Sequence, residues 1–260
     1  GSLGAGRIVY GTGPFDGPGE RWVEADSGEN FSEGSRLGGF NQQTIQLVMG
    51  HDKTYVLAVQ KGGCVERITG AFGALSSIRT QPMVNGLPAV DSQGVAVSKT
   101  NPRRVILSDI DRTLFFSQDA GEGQMKAGPE YFAPPASNTT SPTSLGMAMS
   151  DADEALVCLD TGAVWQLSGS WWTGAWSITK HATNLTQCNA AYKWTSSGNT
   201  YYVAAGDGIA TKKNSGAWTA ATATGFTKLD GAGTAFVFGL NNAAVVVSPK
   251  TGIWRCTNLD

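Results

Sequence analysis

The sequence predicts an all-β fold: a single six-bladed β-propeller built from four-stranded antiparallel blades. Three observations carry this expectation. Short β-rich runs recur along all 260 residues, at a spacing of roughly 35 to 50 residues, the length of one propeller blade. Three near-identical stretches, Thr173-Gly174-Ala175-Trp176, Ser215-Gly216-Ala217-Trp218 and Thr251-Gly252-Ile253-Trp254, each follow a strand-like run and a turn. The composition, with 34 glycines and only 15% charged residues, suits many short strands joined by tight turns, and no run keeps the apolar spacing of a helix.

Taken in order, the best-marked strands are Ile8-Val9-Tyr10, Tyr55-Val56-Leu57, Val105-Ile106-Leu107, Ala155-Leu156-Val157, Tyr202-Val203-Ala204 and Phe236-Val237-Phe238. They place the blades at about 1–40, 41–90, 91–140, 141–186, 187–224 and 225–260. In every unit but the first, a preceding strand leads in through a turn. These strands are Leu47-Val48-Met49, Val95-Ala96-Val97, Met147-Ala148-Met149, Ala191-Tyr192-Lys193-Trp194 and the run 226–229. The intervening Asn, Asp, Gly and Pro residues supply the backbone angles of such turns. The first unit has little before Ile8, so its missing strand is expected from the extreme N-terminus or from the tail 255–260, either of which would remove an exposed sheet edge. The Gly-x-Trp stretches fall at the last turn of their units. Gly174, Gly216 and Gly252 permit the turn, and Trp176, Trp218 and Trp254 are expected to pack between blades. Two segments depart from the repeat: the Pro-rich 128–144 and the shorter 77–94.

The first and third units carry a looser version of the turn. Ser117-Gln118-Asp119-Ala120-Gly121 resembles the Asp-box, S-x-D-x-G-x-x-[TW], of the sialidase-type (BNR) propellers, and Asp26-Ser27-Gly28-Glu29-Asn30-Phe31 resembles a degenerate copy. Gln124 stands where that family has Thr or Trp, and Glu24 where it has Ser. The resemblance implies a fold. In that family the Asp-box is structural, at the turn between the third and fourth strands of a blade. Catalysis there needs three converging arginines, a Tyr–Glu pair, an acid Asp and an Arg-Ile-Pro motif. Here Arg7-Ile8 is followed by Val9, and the chain holds nine arginines, two of them adjacent. No catalytic residue carries over, so the resemblance implies a non-catalytic member.

Turns between second and third strands should gather at one mouth. They offer Asp16, Asp109, Asp111, Asp160 and Asp207, with Arg112, Glu20 and Arg21 nearby. Such carboxylates suit a sugar, a cation or paired-carboxylate glycoside hydrolysis. The competing reading is hairpin chemistry, since Asp-Gly and Asn-rich pairs are what two-residue turns prefer. Asp109-Ile110-Asp111-Arg112 is the least turn-like member and the best single candidate. Trp171-Trp172 offers a stacking platform for a sugar or a partner side chain. His51 and His181 read as surface turn or strand-end residues. Cys64 and Cys158 read as buried thiols, and a bond between Cys188 and Cys256 is left open, because no metal-type spacing exists among the four cysteines. No metal or cofactor is expected.

The net charge of −2 and the scattered cations exclude a duplex-binding surface. Apolar runs are strand-sized, so no membrane-inserted helix is expected, and the opening residues lack a signal-peptide pattern. The expected role is a non-catalytic structural or interaction module, bound to a protein partner in a larger assembly or to a carbohydrate. In composition the chain is similar to phage-tail, virion and cell-surface propellers, which implies an extracellular, surface or virion location. A lectin-like propeller and a sialidase-like glycoside hydrolase are the alternatives.

Overall fold

A computed structural model describes residues 7–11, 22–26, 30–33, 44–50, 52, 54–60, 64–71, 74–80, 83–84, 87–88, 92–109, 114–119, 126–127, 144–170, 175–229, 236–248, 252–257 and 259. All regular structure among them is β, arranged as six small sheets. The contacts group the chain into two compact units, one of 1–109 with 114–128, the other of 110–113 with 129–260.

The first unit holds three sheets. Strands β1 (Arg7–Gly11), β2 (Trp22–Asp26) and β3 (Asn30–Glu33) form an antiparallel meander. The second sheet is β4 (Thr44–Met49), β5 (Tyr55–Gln60), β6 (Cys64–Ala71) and β7 (Ala74–Thr80), in that order. A hairpin of β8 (Met83–Val84) and β9 (Leu87–Pro88) then precedes the third sheet, β10 (Ser92–Val97), β11 (Val105–Asp109), β12 (Leu114–Ser117) and β13 (Lys126–Ala127), and extends it by a parallel β8–β13 pairing. Alternate residues of a strand share a face. Tyr55, Leu57 and Val59 therefore meet Val95, Val97, Val105, Leu107 and Phe115 in one buried core, with β10 packed on β4 and β5. The Tyr55 hydroxyl donates to the Pro102 carbonyl across the two sheets. Burial and Asp52 push that phenol's pKa upward, against the Arg67 guanidinium 5.1 Å from the ring.

The second unit repeats the plan. The fourth sheet is β14 (Ser144–Met149), β15 (Ala155–Leu159), β16 (Val164–Ser170) and β17 (Ala175–His181). The fifth is β18 (Cys188–Ser196), β19 (Asn199–Gly206), β20 (Ile209–Lys213) and β21 (Thr219–Ala221). The sixth is β22 (Phe236–Leu240), β23 (Ala243–Ser248) and β24 (Gly252–Cys256). β18 packs on β14 and β15, and β22 packs on β18 and β19.

Two features recur that the sequence did not advertise. The opening strand of each of the second to fifth sheets carries an irregularity at the same register, between Thr44 and Gln46, Ser92 and Gly94, Ser144 and Gly146, and Cys188 and Ala190. Such a bulge bends the strand and increases its twist. Three of these strands also end alike. The Gly50, Ser98 and Ser150 amides donate to the carbonyls of Tyr55, Arg104 and Glu154 at 3.0, 2.9 and 2.9 Å. The two serines are fully buried, and their hydroxyls accept from the Asn101 and Glu154 amides at 3.0 and 3.1 Å.

The structure corrects several expectations. Among the described residues the first and sixth sheets have three strands, and the third, extended by the β8–β9 hairpin, has six. Residues 226–229 form no strand. Their backbone is spent elsewhere, with Phe226 N–H on the Ala223 carbonyl at 3.0 Å and Leu229 N–H on the Gly206 carbonyl at 2.7 Å. Among the described residues Phe236-Val237-Phe238 thus opens its sheet. The departure supposed to begin at 77 begins after β7, which runs to Thr80. Of 128–144, all but Ser144 lies outside the described residues. The Gly-x-Trp stretches are not equivalent. Trp176 lies in the fourth strand of its sheet and Trp218 just before β21, but Trp254 lies in β24, a third strand. Cys188 and Cys256 are both free thiols in separate core clusters, and Cys188 lies beside Cys158 instead.

Sheet stacking in the second unit rests on missing side chains. Gly162 has φ 78°, and a Cβ there would stand 1.9 Å from the Leu185 carbonyl oxygen. Gly198 has φ 77° with nothing within 4 Å. Gly198→Ala is therefore expected to cost about 1–2 kcal/mol, the left-handed penalty alone. Gly162→Ala is expected to cost more than about 3 kcal/mol, because the clash with backbone is added. Urea unfolding of both variants measures the difference, and equal losses would mean that the Leu185 segment does not approach so closely.

Candidate binding groove on the fourth and fifth sheets

The groove begins with hairpin arithmetic. Ser197 and Gly198, at φ 49° and 77°, form a two-residue turn of the kind that matches strand twist. It sets Lys193 opposite Tyr202, and the turn at Asp207-Gly208 sets Tyr202 opposite Lys212. Lys193, Tyr202 and Lys212 thus form one row across β18, β19 and β20. Both ammonium groups stand near the tyrosine ring, 5.5 and 5.2 Å from its centroid, as the negative face of an aromatic favours.

Across from this row stand Gln166 of β16 and Thr179 and His181 of β17. With Thr200, Asn214 and Ser215 they line an open groove of about 590 Å³. A chain of polar contacts supports its floor. Lys193 and the Glu154 carboxylate form an ion pair, both side chains largely covered. The other Glu154 oxygen accepts from Gln166 Nε2 and Ser168 Oγ, each at 2.9 Å. Gln166 Oε1 then faces His181 Nε2 at 3.1 Å. Because the amide NH₂ already points to a carboxylate, its oxygen must accept, and His181 must carry its proton on Nε2. Trp218 stands edge-on to His181 at 6.0 Å and to Tyr202 at 6.1 Å. Burial, then Lys212 and Lys193, lower the His181 pKa, and Glu154 opposes them.

Of the residues proposed from sequence, Asp160 and Asp207 both sit exposed on turns that flank the segment 182–187. Asp207 serves the backbone. It accepts from the Thr186 and Gln187 amides at 3.2 and 3.1 Å and from the Thr186 hydroxyl. Burial opposes its ionisation, but those bonds hold its pKa below the ordinary value. Asp109 ends β11, with its side chain outside the described residues. Asp16, Glu20, Arg21, Asp111, Arg112, Trp171, Trp172, Gly28, Gly121 and Gly174 lie outside the described residues altogether. Asp26 and Phe31 flank the β2–β3 turn as strand backbone. In the Asp-box-like turn, between the third and fourth strands of its sheet, the Ser117 hydroxyl donates to the Asp119 carboxylate, and Asp119 N–H donates back to Ser117 Oγ at 3.2 Å. Trp218 stands between two sheets. Trp254 packs on the core of the fifth and sixth sheets with Phe226 edge-on at 5.0 Å.

His181 is not the surface residue the sequence suggested. It is buried, in a partnered position. Lys193, Tyr202, Lys212, Gln166 and Glu154 escaped notice because no motif marks them. The register of two recognisable turns would have placed the Lys–Tyr–Lys row.

No protein-family model and no curated protein matches the chain. Among solved structures, that of U3-55K aligns with 83% of this chain and 64% of its own at 10% identity and a TM-score of 0.52. The computationally designed Ika8 protein aligns with 99% of this chain and 70% of its own at 13% identity and a TM-score of 0.59. This chain thus spans less than two thirds of the U3-55K chain. At such identities the likeness is one of all-β fold and carries no function.

With two histidines in the chain, imidazole titration by NMR is readily assigned. His181 is expected to titrate below 6.5, its ordinary value. Lys212→Ala should raise the apparent pKa, and Glu154→Gln should lower it further. The folded state disfavours the proton, so stability should fall as pH drops through 6.5 toward the lowered value. Unchanged titration in both variants would place the lysines and Glu154 too far from the ring. Asp207 works over a more acid range. Its contribution is complete above 3.8 and is lost as pH falls through the lower folded value. Protection of the Thr186 and Gln187 amides from exchange, relative to their intrinsic rates, should fall there in the parent chain, and an Asp207→Asn variant should show no such acid step.

Proposed function

We propose that the six sheets are blades of one β-propeller and that it acts as a non-catalytic interaction module. The shared bulge, the stacking of opening strands within each unit and the Asp-box-like turn at Ser117–Asp119 support the propeller reading. So does the last sheet, where Phe238, Leu240 and Ile253 are 46%, 67% and 73% exposed. A neighbouring blade would cover that apolar face. Low charge and small polar residues support a place in a virion, tail or cell-surface assembly, where the partner is a protein or a surface carbohydrate.

One observation carries the non-catalytic reading. Glu154 is committed to Lys193, Gln166 and Ser168, and His181 Nε2 to Gln166. A general acid or base needs a proton position open toward substrate, whereas this network holds side chains in place.

Two measurements test the proposal. Phe238→Asp should destabilise the chain by more than about 2 kcal/mol, the scale for burying an uncompensated polar group; an unchanged urea midpoint would count against ring closure over that face. Incubation with a panel of chromogenic glycosides should release no aglycone, and sustained release would overturn the non-catalytic role.

A further inference from the structure

We propose that the groove between the fourth and fifth sheets binds an acidic saccharide, with its carboxylate at Lys212 and its hydroxyls along Thr179, Thr200 and Ser215. The proposal rests on the interaction-module reading above and names a ligand class for it.

Charge comes first. Lys193 is neutralised by Glu154, and His181 is held neutral. Lys212 faces the tyrosine ring and has no carboxylate partner among the described residues. The groove therefore presents one uncompensated positive charge. A single charge suits a carboxylate. It does not suit a nucleic-acid backbone, which needs a run of cations.

Size and lining come next. About 590 Å³ lies within the usual range of small-molecule sites, roughly 300–1,000 Å³, and is far more than a bare anion needs. Three aliphatic hydroxyl side chains, from β17, β19 and the turn after β20, line it along with the lysines. Hydroxyls that both donate and accept match a polyol, whose own hydroxyls do the same. Preorganisation completes the case. Asn214 at the rim is locked, its Oδ1 accepting from Thr200 N–H at 2.8 Å and its Nδ2 donating to Asn199 at 2.9 Å. Tyr202 is fixed between two lysines and the edge of Trp218. Little side-chain freedom remains to be lost on binding.

The test uses the whole chain, calorimetry, and NMR of the His181 ring and Trp218 indole. The probes are tetragalacturonate, neutral maltotetraose and sodium phosphate. Tetragalacturonate should bind and shift both resonances, maltotetraose should leave them unmoved, and phosphate should compete only weakly. Lys212→Ala should weaken the uronate about tenfold or more, the scale of one lost charge-assisted hydrogen bond. Lys212→Glu should abolish it, while Lys228→Ala, which does not line the groove, should change nothing. Absent shifts with tetragalacturonate, equal affinity in Lys212→Ala, or phosphate binding as tightly as the uronate would each overturn the assignment. None of those results bears on the module reading, which fails instead on glycoside turnover.

Discussion

Stacked sheets in the second unit come closer than side chains allow, and the rest of its architecture follows from that. A Cβ on Gly146 would meet the Asn189 carbonyl oxygen at 2.3 Å, and one on Gly206 the Gln187 oxygen at 1.8 Å. On Gly239 it would enter the Trp194 ring at 2.0 Å. The Gly146 and Gly239 contacts each join a sheet to the next, and the Gly206 contact closes the fifth sheet on the segment that leads into β18. Where glycine yields, alanine follows: Ala190, Ala191, Ala204, Ala205 and Ala244 are all buried between these layers. The Trp194 indole N–H then reaches the Asn241 carbonyl at 2.8 Å, a bond available only because Gly239 leaves room for the ring. The glycine content is thus as much a property of the stacking as of the turns.

Close approach at one place implies separation at another. Twisted sheets cannot remain in contact along their whole width. The fourth and fifth sheets meet at small side chains of their opening strands, and the groove lies farther out, over β16, β17, β19, β20 and the Lys193 end of β18. Its residues are correspondingly large: Gln166, His181, Lys193, Tyr202 and Lys212. Long side chains occupy a gap that alanine would leave empty, and being polar they can do so open to water. The groove is a geometric consequence of the stacking, and its chemistry was chosen within that constraint.

Strand positions were legible in the sequence wherever a β-rich run met a turn pair, as at Tyr55, Val105, Ala155 and Tyr202. Each of these runs became the second strand of its sheet. Phe236-Val237-Phe238 was misplaced because 226–229 looks like a strand but spends its amides on Ala223 and Gly206, which local pattern cannot reveal. The bulges were invisible for a related reason, since they depend on which strand is pressed against a neighbour. Asp207 was legible as a turn residue, but its ties to Thr186 and Gln187 reach a distant segment that the turn pattern does not show. The groove had no motif to read. Its charged row is formed by pairing across two turns and its floor by residues from a different sheet.

Direction in the polar network decides what the groove can do. A lysine only donates and a carboxylate only accepts, so Lys193 and Glu154 fix one end. Gln166 must turn its NH₂ toward Glu154, which leaves its oxygen for His181. The imidazole must answer with Nε2–H, and burial beside two lysines keeps it from taking a second proton. Reversing any one bond would set donor against donor or acceptor against acceptor along the whole chain. The network therefore has one low-energy arrangement, and it cancels the charge of Lys193 while leaving that of Lys212. A surface built this way is consistent with the singly charged, hydroxylated ligand proposed above.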